Sequence, residues 1–437
     1  MVRPNKRVIL NSKMFRKLYY LNKETINDFI WRSLQISGKG GITFLIFILC
    51  AKLLTPYYFG IYNYALAIIF FLILFGDFGI STATSKYVAE YNITDKNKLK
   101  LVLFNSGLII IALTIIITII TLIIGPWYLK DNYTYVLWLL PIVFLAPMTS
   151  LYDGIYRGLK RFKQLAIISI IAGLFSLTFV YFLIKQYGLV GALIAQNLFY
   201  LILLISLGLG YRKFSLGWNK AVMKEVGRYS FVIGITTVGY YLFSRVGVII
   251  LGQYNYINEI AVYELLNKIF TLGLLPFTIL GTVISPKITE LYAKKNYGII
   301  LSKFKRYFII LLPVATIISV FSYLLLPKII FTFFNEYYNS ILFTIIIPVI
   351  IIYGIQFYCA IINSGLIVST GHANITAYLN IILGVFNIFL SLFLLNYLGF
   401  IGIIYSILIL NLIGVIVLHS IYYIKIKDLV SKNETKE

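Results

Sequence analysis

The chain is 437 residues long, 60% hydrophobic and 12% charged, with a formal net charge of +23 and a mean hydropathy of +0.91. Ordinary soluble domains are about half apolar and about a quarter charged, so a soluble globular protein is excluded and a polytopic helical membrane protein is indicated. A basic excess also raises nucleic acid as a partner. Here the charges are spread over many connections, and no nucleic acid is expected.

Residues 1–30 read as a basic cytoplasmic segment. Phe15, Leu18, Ile26, Phe29 and Ile30 recur near helical spacing, with Lys17, Lys23 and Asp28 between them. That fits an amphipathic helix on the membrane surface; a partly ordered basic tail fits as well. The segment is too long for a cleavable signal, and no small-x-small site follows the first apolar run.

Twelve apolar runs follow, at about 31–53, 59–84, 101–124, 135–155, 165–185, 188–210, 229–251, 260–285, 307–326, 341–363, 373–395 and 399–422. Each approaches the roughly 20 residues that cross a ~30 Å hydrocarbon core as helix. Unbroken runs such as 108–124 and 341–355 exclude alternating barrel strands. Of the 38 basic residues, Lys52, Lys130, Lys185 and Lys328 fall on one side, and Lys39, Arg245 and Lys268 fall inside spans. The other 31 share the opposite side, including Arg3, Arg32, Arg157, Arg212, Lys213 and Lys436. Loops rich in Lys and Arg stay cytoplasmic, so both termini are expected inside a multi-pass protein of the cell membrane.

The basic stretch 212–228 divides the chain into six spans and six. The expected layout is a segment at 1–30, a bundle at 31–211, a linker at 212–228, a bundle at 229–424 and a tail at 425–437. The halves resemble each other. Gly60-Ile61-Tyr62 and Glu90-Tyr91 bracket the second span as Ala261-Val262-Tyr263 and Glu290-Leu291-Tyr292 bracket the eighth. Gly173, Gly188 and Gly191 are spaced as Gly384, Gly399 and Gly402 are. Six is even, so the repeats run parallel, an arrangement that places a substrate path between halves.

Chemistry is sparse. Cys50 and Cys359 lie in separate spans and His372 and His419 far apart, so no disulfide, metal site or cofactor is expected. The outer connections carry Asp131, Glu259 and Glu336 singly, a poor set for acid–base or metal-assisted glycan processing. No P-loop occurs; Gly38-Lys39-Gly40 lacks its upstream glycine and following hydroxyl. An enzyme is not expected.

Leu53-Leu54-Thr55-Pro56-Tyr57-Tyr58-Phe59-Gly60-Ile61-Tyr62 resembles the "LLTPEEFGLY" motif of polysaccharide exporters, the Wzx-type flippases of the multidrug/oligosaccharidyl-lipid/polysaccharide superfamily. Phe75-Gly76-Asp77-Phe78-Gly79-Ile80, ending in Lys86-Tyr87-Val88-Ala89-Glu90, is similar to that family's next segment. Tyr156-Arg157-Gly158-Leu159-Lys160-Arg161-Phe162 is similar to its loop after the fourth span. The motifs concentrate in 53–91 and 154–163; the second half matches more loosely. The resemblance implies an all-α protein whose two six-helix bundles form a V around a central cavity. It also implies turnover of a polyisoprenyl-linked oligosaccharide from the inner to the outer leaflet, with a cation-coupled multidrug exporter as the alternative and a membrane-bound glycan-processing enzyme as the second.

Ionisable groups within spans are costly and mark function by default. Lys39, about 12 Å past Trp31 at 1.5 Å per residue, sits among Ser37, Gly38, Gly40 and Gly41; it reads as a cavity lysine or as one snorkelling to the inner surface. Arg245 suits a phosphate bidentately; an outer-surface snorkel or a structural pair are its other readings. Glu264 and Lys268 have the spacing of an intrahelical pair; otherwise Lys268 joins the substrate-binding cations and Glu264 is a gating or ion-coupling carboxylate. Asp77, between Gly76 and Gly79, is read as a coupling carboxylate, a partner of Lys39 or the holder of a kink. Pro276, Pro313 and Pro348 are expected to mark bends. The expected partners are an anionic lipid-linked glycan, membrane lipids and, for ion-driven transport, a coupling cation; a monomer is expected.

Topology reporters fused at Lys220 and Glu437 should both report cytoplasm. An external signal at either position would break the division into two six-span halves.

Overall fold

A computed structural model describes residues 6–211 and 215–434, with side chains described from Asn27 onward except those of Asp28, Phe29 and Glu434. Arg3, Arg212, Lys213 and Lys436 lie outside the described residues, as do the side chains of the amphipathic pattern from Phe15 to Phe29. The backbone there is helical and runs without a break into the first span: α1 covers Lys6–Leu53. Then come α2 (Pro56–Asp77), α3 (Ile80–Thr94), α4 (Lys96–Leu129), α5 (Tyr133–Leu139), α6 (Ile142–Gly158) and α7 (Phe162–Gly210). Next follow α8 (Lys220–Gln253), which takes in residues 220–228 of the expected linker, α9 (Ile257–Ala293), α10 (Tyr297–Phe333), α11 (Ser340–Ile362), α12 (Ala373–Leu398) and α13 (Phe400–Glu434). The described residues contain no strand, and the chain is a multi-pass membrane protein.

Side-chain caps set several helix starts. The carboxylate of Asp95 accepts from the amides of Asn97 and Lys98 at 3.0 and 3.1 Å and opens α4. Asn219 accepts from Val222 at 3.0 Å for α8, and Asn339 from Leu342 at 3.2 Å for α11. Each satisfies a donor that the first helical turn leaves free. Pro56 occupies the first turn of α2, where its missing N–H is harmless. Pro276, Pro313 and Pro348 lie within α9, α10 and α11 without ending them.

Ten helical stretches among the described residues are long and apolar enough to cross a membrane. Besides the break at Phe78 and Gly79 within the second, the twelve expected runs differ at two places. The fourth, 135–155, falls on α5 and α6, of 7 and 17 residues; Leu140 and Pro141 between them keep helical dihedrals, and the ladder there tightens to i→i+3 bonds such as Val143 to Leu140. The fifth and sixth are both in the 49-residue α7, whose backbone leaves the helix at Gly188 (φ 55°, ψ −127°). A Cβ on Gly191 would lie 3.0 Å from the Ile184 nitrogen, whereas seven residues of straight helix span about 10 Å. The chain therefore doubles back at Gly188.

The second half repeats this turn. Gly399 has φ 64° and ψ −150°, and Gly402 closes on the Leu394 carbonyl as Gly191 closes on that of Leu183. Only glycine takes such a backbone without strain. The third glycine of each set serves packing: Gly173 lets Ile42 of α1 approach, and Gly384 lets Leu242 and Phe243 of α8 approach. Thus α1 runs along α7 as α8 runs along α12, two copies of one arrangement built on the glycine spacing.

The motif residues shape the bend between α2 and α3. Phe78 (φ 37°) and Gly79 (φ 79°) break the helix, and Asp77 caps α3 by accepting from the Ser81 amide and hydroxyl at 2.9 and 2.8 Å. Gly154 and Gly158, one turn apart on α6, sit against the carbonyls of Ser81 and Ser85 on α3; small residues at this spacing let membrane helices touch along their backbones.

The halves meet at both ends. At the end carrying the basic connections, Glu225 of α8 accepts from the Tyr91 hydroxyl and pairs with Lys98 at 3.2 Å. These two partners hold its carboxyl below the usual range. At the opposite end the Tyr337 hydroxyl donates to the Ala51 carbonyl at 3.0 Å, and Gly252 receives the ring of Tyr64. Cys50 on α1 and Cys359 on α11 are buried and unpaired.

Gly191→Leu and Gly402→Leu should each lower the thermal midpoint of the detergent-solubilised protein, at a cost of about 1–3 kcal/mol or more, because backbone is the clashing group. Gly41→Ala, where an added Cβ meets nothing within 4 Å, should leave it unchanged. A Leu at position 191 with no effect would show that the turn is not as tight as described.

Candidate functional site

Three adjoining cavities run through the middle of the molecule. A first-half chamber of about 510 Å³, a central one of about 230 Å³ and a second-half one of about 660 Å³ share lining residues. Phe70 of α2 lines all three. Lys39 lines the first and the centre, and Arg245 lines the centre and the second.

The central cavity gathers Lys39, Arg245, Glu264 and Lys268 from α1, α8 and α9. Glu264 is 6% exposed, so its carboxylate needs partners. The Arg245 guanidinium reaches it across the α8–α9 contact at 2.5 Å, and the Asn267 amide donates to its other oxygen at 3.2 Å. The hydroxyl of Tyr353 on α11 donates in turn to the Asn267 side-chain oxygen, with its ring stacked on Phe270 at 4.8 Å. The chain Tyr353–Asn267–Glu264–Arg245 fixes the guanidinium on the wall between the central and second cavities.

The intrahelical pair of Glu264 with Lys268 does not form. Arg245 takes the buried carboxylate, since a planar fork donates to it better than a flexible ammonium does. Lys268 lies instead over the Phe47 ring, 5.5 Å from its centre, and no carboxylate among the described residues is within 4 Å of it. Lys39 likewise has no ion-pair partner among the described residues. Gly38 beside it lets α1 close on Ile170 of α7, which turns the lysine toward the two cavities it lines. Asp77 stands apart from these charges: it lines none of the three cavities and is spent on capping α3. Neither a Lys39 partner nor a cavity carboxylate, it holds the bend.

The central cavity therefore carries three cations against one carboxylate. Low-dielectric walls limit screening, so such an excess attracts anions strongly. The first-half chamber adds a group that loop position had hidden. Asp153 of α6 pairs with Arg157 at 2.9 Å and Arg32 at 3.9 Å, and all three line the chamber with Lys39. In the sequence Arg32 and Arg157 look like ordinary cytoplasmic charges; the signal was Asp153, an acid four residues before Arg157 on one helix face.

Replacing Arg245 by Leu should destabilise the protein by about 1–3 kcal/mol, below the ~3–5 kcal/mol of a fully buried broken pair because the arginine side chain is 38% exposed. Arg245→Leu/Glu264→Leu together should cost less than Arg245→Leu alone. Thermal melts of the unaltered protein, the two single variants Arg245→Leu and Glu264→Leu, and the double variant give the coupling; strictly additive losses would mean that the two side chains do not depend on each other.

No curated protein matches the chain. Among solved structures, the fold is similar to an inward-facing MATE multidrug-resistance transporter of the MOP superfamily, with TM-score 0.74 and 17% identity over 90% of this chain and 96% of that one. The lipid II flippase MurJ in an inward closed conformation gives 0.70 and 19% over 93% and 89%. A MOP-superfamily transporter from Pyrococcus furiosus gives 0.62 and 16% over 93% and 96%. These likenesses concern the fold. A family model described as "Polysaccharide biosynthesis protein" matches residues 26–292, more than half of the chain, and takes in every motif of the first half together with Arg245, Glu264 and Lys268. The chain belongs to the polysaccharide biosynthesis protein family, built on the all-helical fold of MOP-superfamily transporters.

Proposed function

We propose that the protein is a flippase, not an enzyme, that moves a polyisoprenyl-linked oligosaccharide from the inner to the outer leaflet of the cell membrane. Both termini are cytoplasmic in this reading, and the protein works as a monomer. The observation that carries it is the charge of the central cavity, where Lys39, Arg245 and Lys268 face one carboxylate. A lipid-linked phosphate or diphosphate supplies the missing negative charge. Lys39 and Lys268 pair with no carboxylate among the described residues and meet the head group first. Arg245, held by Glu264, offers its remaining donors to a phosphate oxygen, and Glu264 gates the site by holding or releasing that arginine. The flank of α9 toward the basic end is apolar and open, with Leu280 and Val283 50% and 56% exposed, so the lipid tail stays among membrane lipids. The halves then rock about the contacts at their two ends, and Asp77 contributes by setting the α2–α3 bend.

Transfer is read as outer-leaflet exposure of the lipid-linked glycan in cells lacking their own flippase. Lys39→Ala and Lys268→Ala should each reduce it about ten- to a hundredfold, the worth of a charged hydrogen bond of ~1.5–3 kcal/mol, with abundance near normal. Arg245→Lys keeps the ion pair but loses the fork and should recover only part of the activity. Full transfer by a Lys39→Ala/Lys268→Ala protein would refute the cationic cavity and favour a multidrug exporter.

A further inference from the structure

The largest of the three cavities, within the second half, has a chemistry unlike the other two. Its wall holds Asn267, Gln356, Asn363, Asn380 and Asn411, yet Arg245, which it shares with the central cavity, is the only charged residue among its described lining. We infer that this chamber is a subsite for the uncharged sugar residues of the substrate, entered past Arg245 while the phosphate stays among the cations. The inference rests on the flippase reading and adds to it where the glycan goes.

Three observations carry it. The first is cost. Amide side chains inside a membrane bundle are expensive unless they find partners. Asn267 and Asn411 have theirs, the latter donating to the Ile407 carbonyl at 2.8 Å. Gln356 and Asn380 make no side-chain hydrogen bond in the described structure, and the buried Asn363 and Thr376 side-chain oxygens have no partner. Folding alone does not explain four unspent polar groups on one chamber wall. The second is their kind. Amides offer donor and acceptor together and carry no charge, which suits hydroxyl and acetamido groups and offers nothing special to an anion or an apolar drug. Tyr240, 55% exposed and on the same wall, adds an aromatic face that packs against the C–H side of a sugar ring. The third is placement and size. A volume of about 660 Å³ falls within the roughly 300–1,000 Å³ of small-molecule sites. Arg245, tied to Glu264, lines both this chamber and the central one. Asn363 opens a π-helical turn, Asn363–Ile367, a local distortion of the kind often kept at functional sites.

The test uses the full-length protein in detergent and two sets of probes: farnesyl diphosphate alone, and farnesyl diphosphate bearing a neutral disaccharide, either diacetylchitobiose or cellobiose. Binding is followed by the shift in thermal midpoint with ligand concentration. At least one sugar-bearing probe should bind about tenfold or more tighter than farnesyl diphosphate, as expected for a few added hydrogen bonds. Gln356→Leu/Asn380→Leu should erase that difference and leave farnesyl diphosphate binding unchanged. Gln356→Ala/Asn380→Ala repeats the test should the leucines disturb packing. Equal binding of all probes to the unaltered protein, or a sugar preference that survives both double variants, overturns the subsite and leaves the flippase reading standing. No binding of any probe, farnesyl diphosphate included, overturns both.

Discussion

A charge in hydrocarbon must find a counter-charge, a hydrogen-bonding shell or water, and the pairing of Arg245 with Glu264 is where this protein meets that demand. The pair joins α8 to α9 at the middle of the molecule and is braced by Asn267 and Tyr353. It leaves the guanidinium on a cavity wall with the carboxylate buried behind it. The arrangement of the other charges follows. With Glu264 occupied, Lys268 turns to Phe47, and with Asp77 engaged in a cap, Lys39 faces the cavity. The basic character of the centre comes from where two acids are committed as well as from the number of cations.

Much of the architecture is legible in the sequence because membrane helices obey a length rule and glycine spacing obeys backbone geometry. The two sets of three glycines predict a repeat, and the structure shows the repeated object: a reversal with no intervening loop. The fourth run crosses Pro141, whose missing donor interrupts the hydrogen-bond ladder while Leu140 and Pro141 keep helical dihedrals. Continuity across 6–53 is not legible, because hydropathy separates the amphipathic stretch from the span while backbone hydrogen bonding does not.

The candidate site was legible in part. Lys39, Arg245, Lys268 and Glu264 stand out because charges are rare in spans, and they come together in space. Their pairing was not legible: an i,i+4 rule sees only one helix, and Arg245 reaches Glu264 from another. The Arg32–Asp153–Arg157 cluster was hidden because span ends and loops look alike in charge. The amides of the second-half chamber were missed since uncharged polar residues scattered over several spans give no periodic signal.

The reversals at Gly188 and Gly399 have a mechanical consequence. Two helices joined by a flexible loop slide and rotate independently, but two joined through one glycine, with the next close approach only three residues on, share nearly all their degrees of freedom. The pairs at the back of each half are thus stiff forks, clasped to α1 and to α8 by close glycine packing. Shape change is then left to the bend between α2 and α3, where Phe78 and Gly79 leave the helix. The first half is thus braced by its fork and bent on a side that faces its twin, where α3 meets α8.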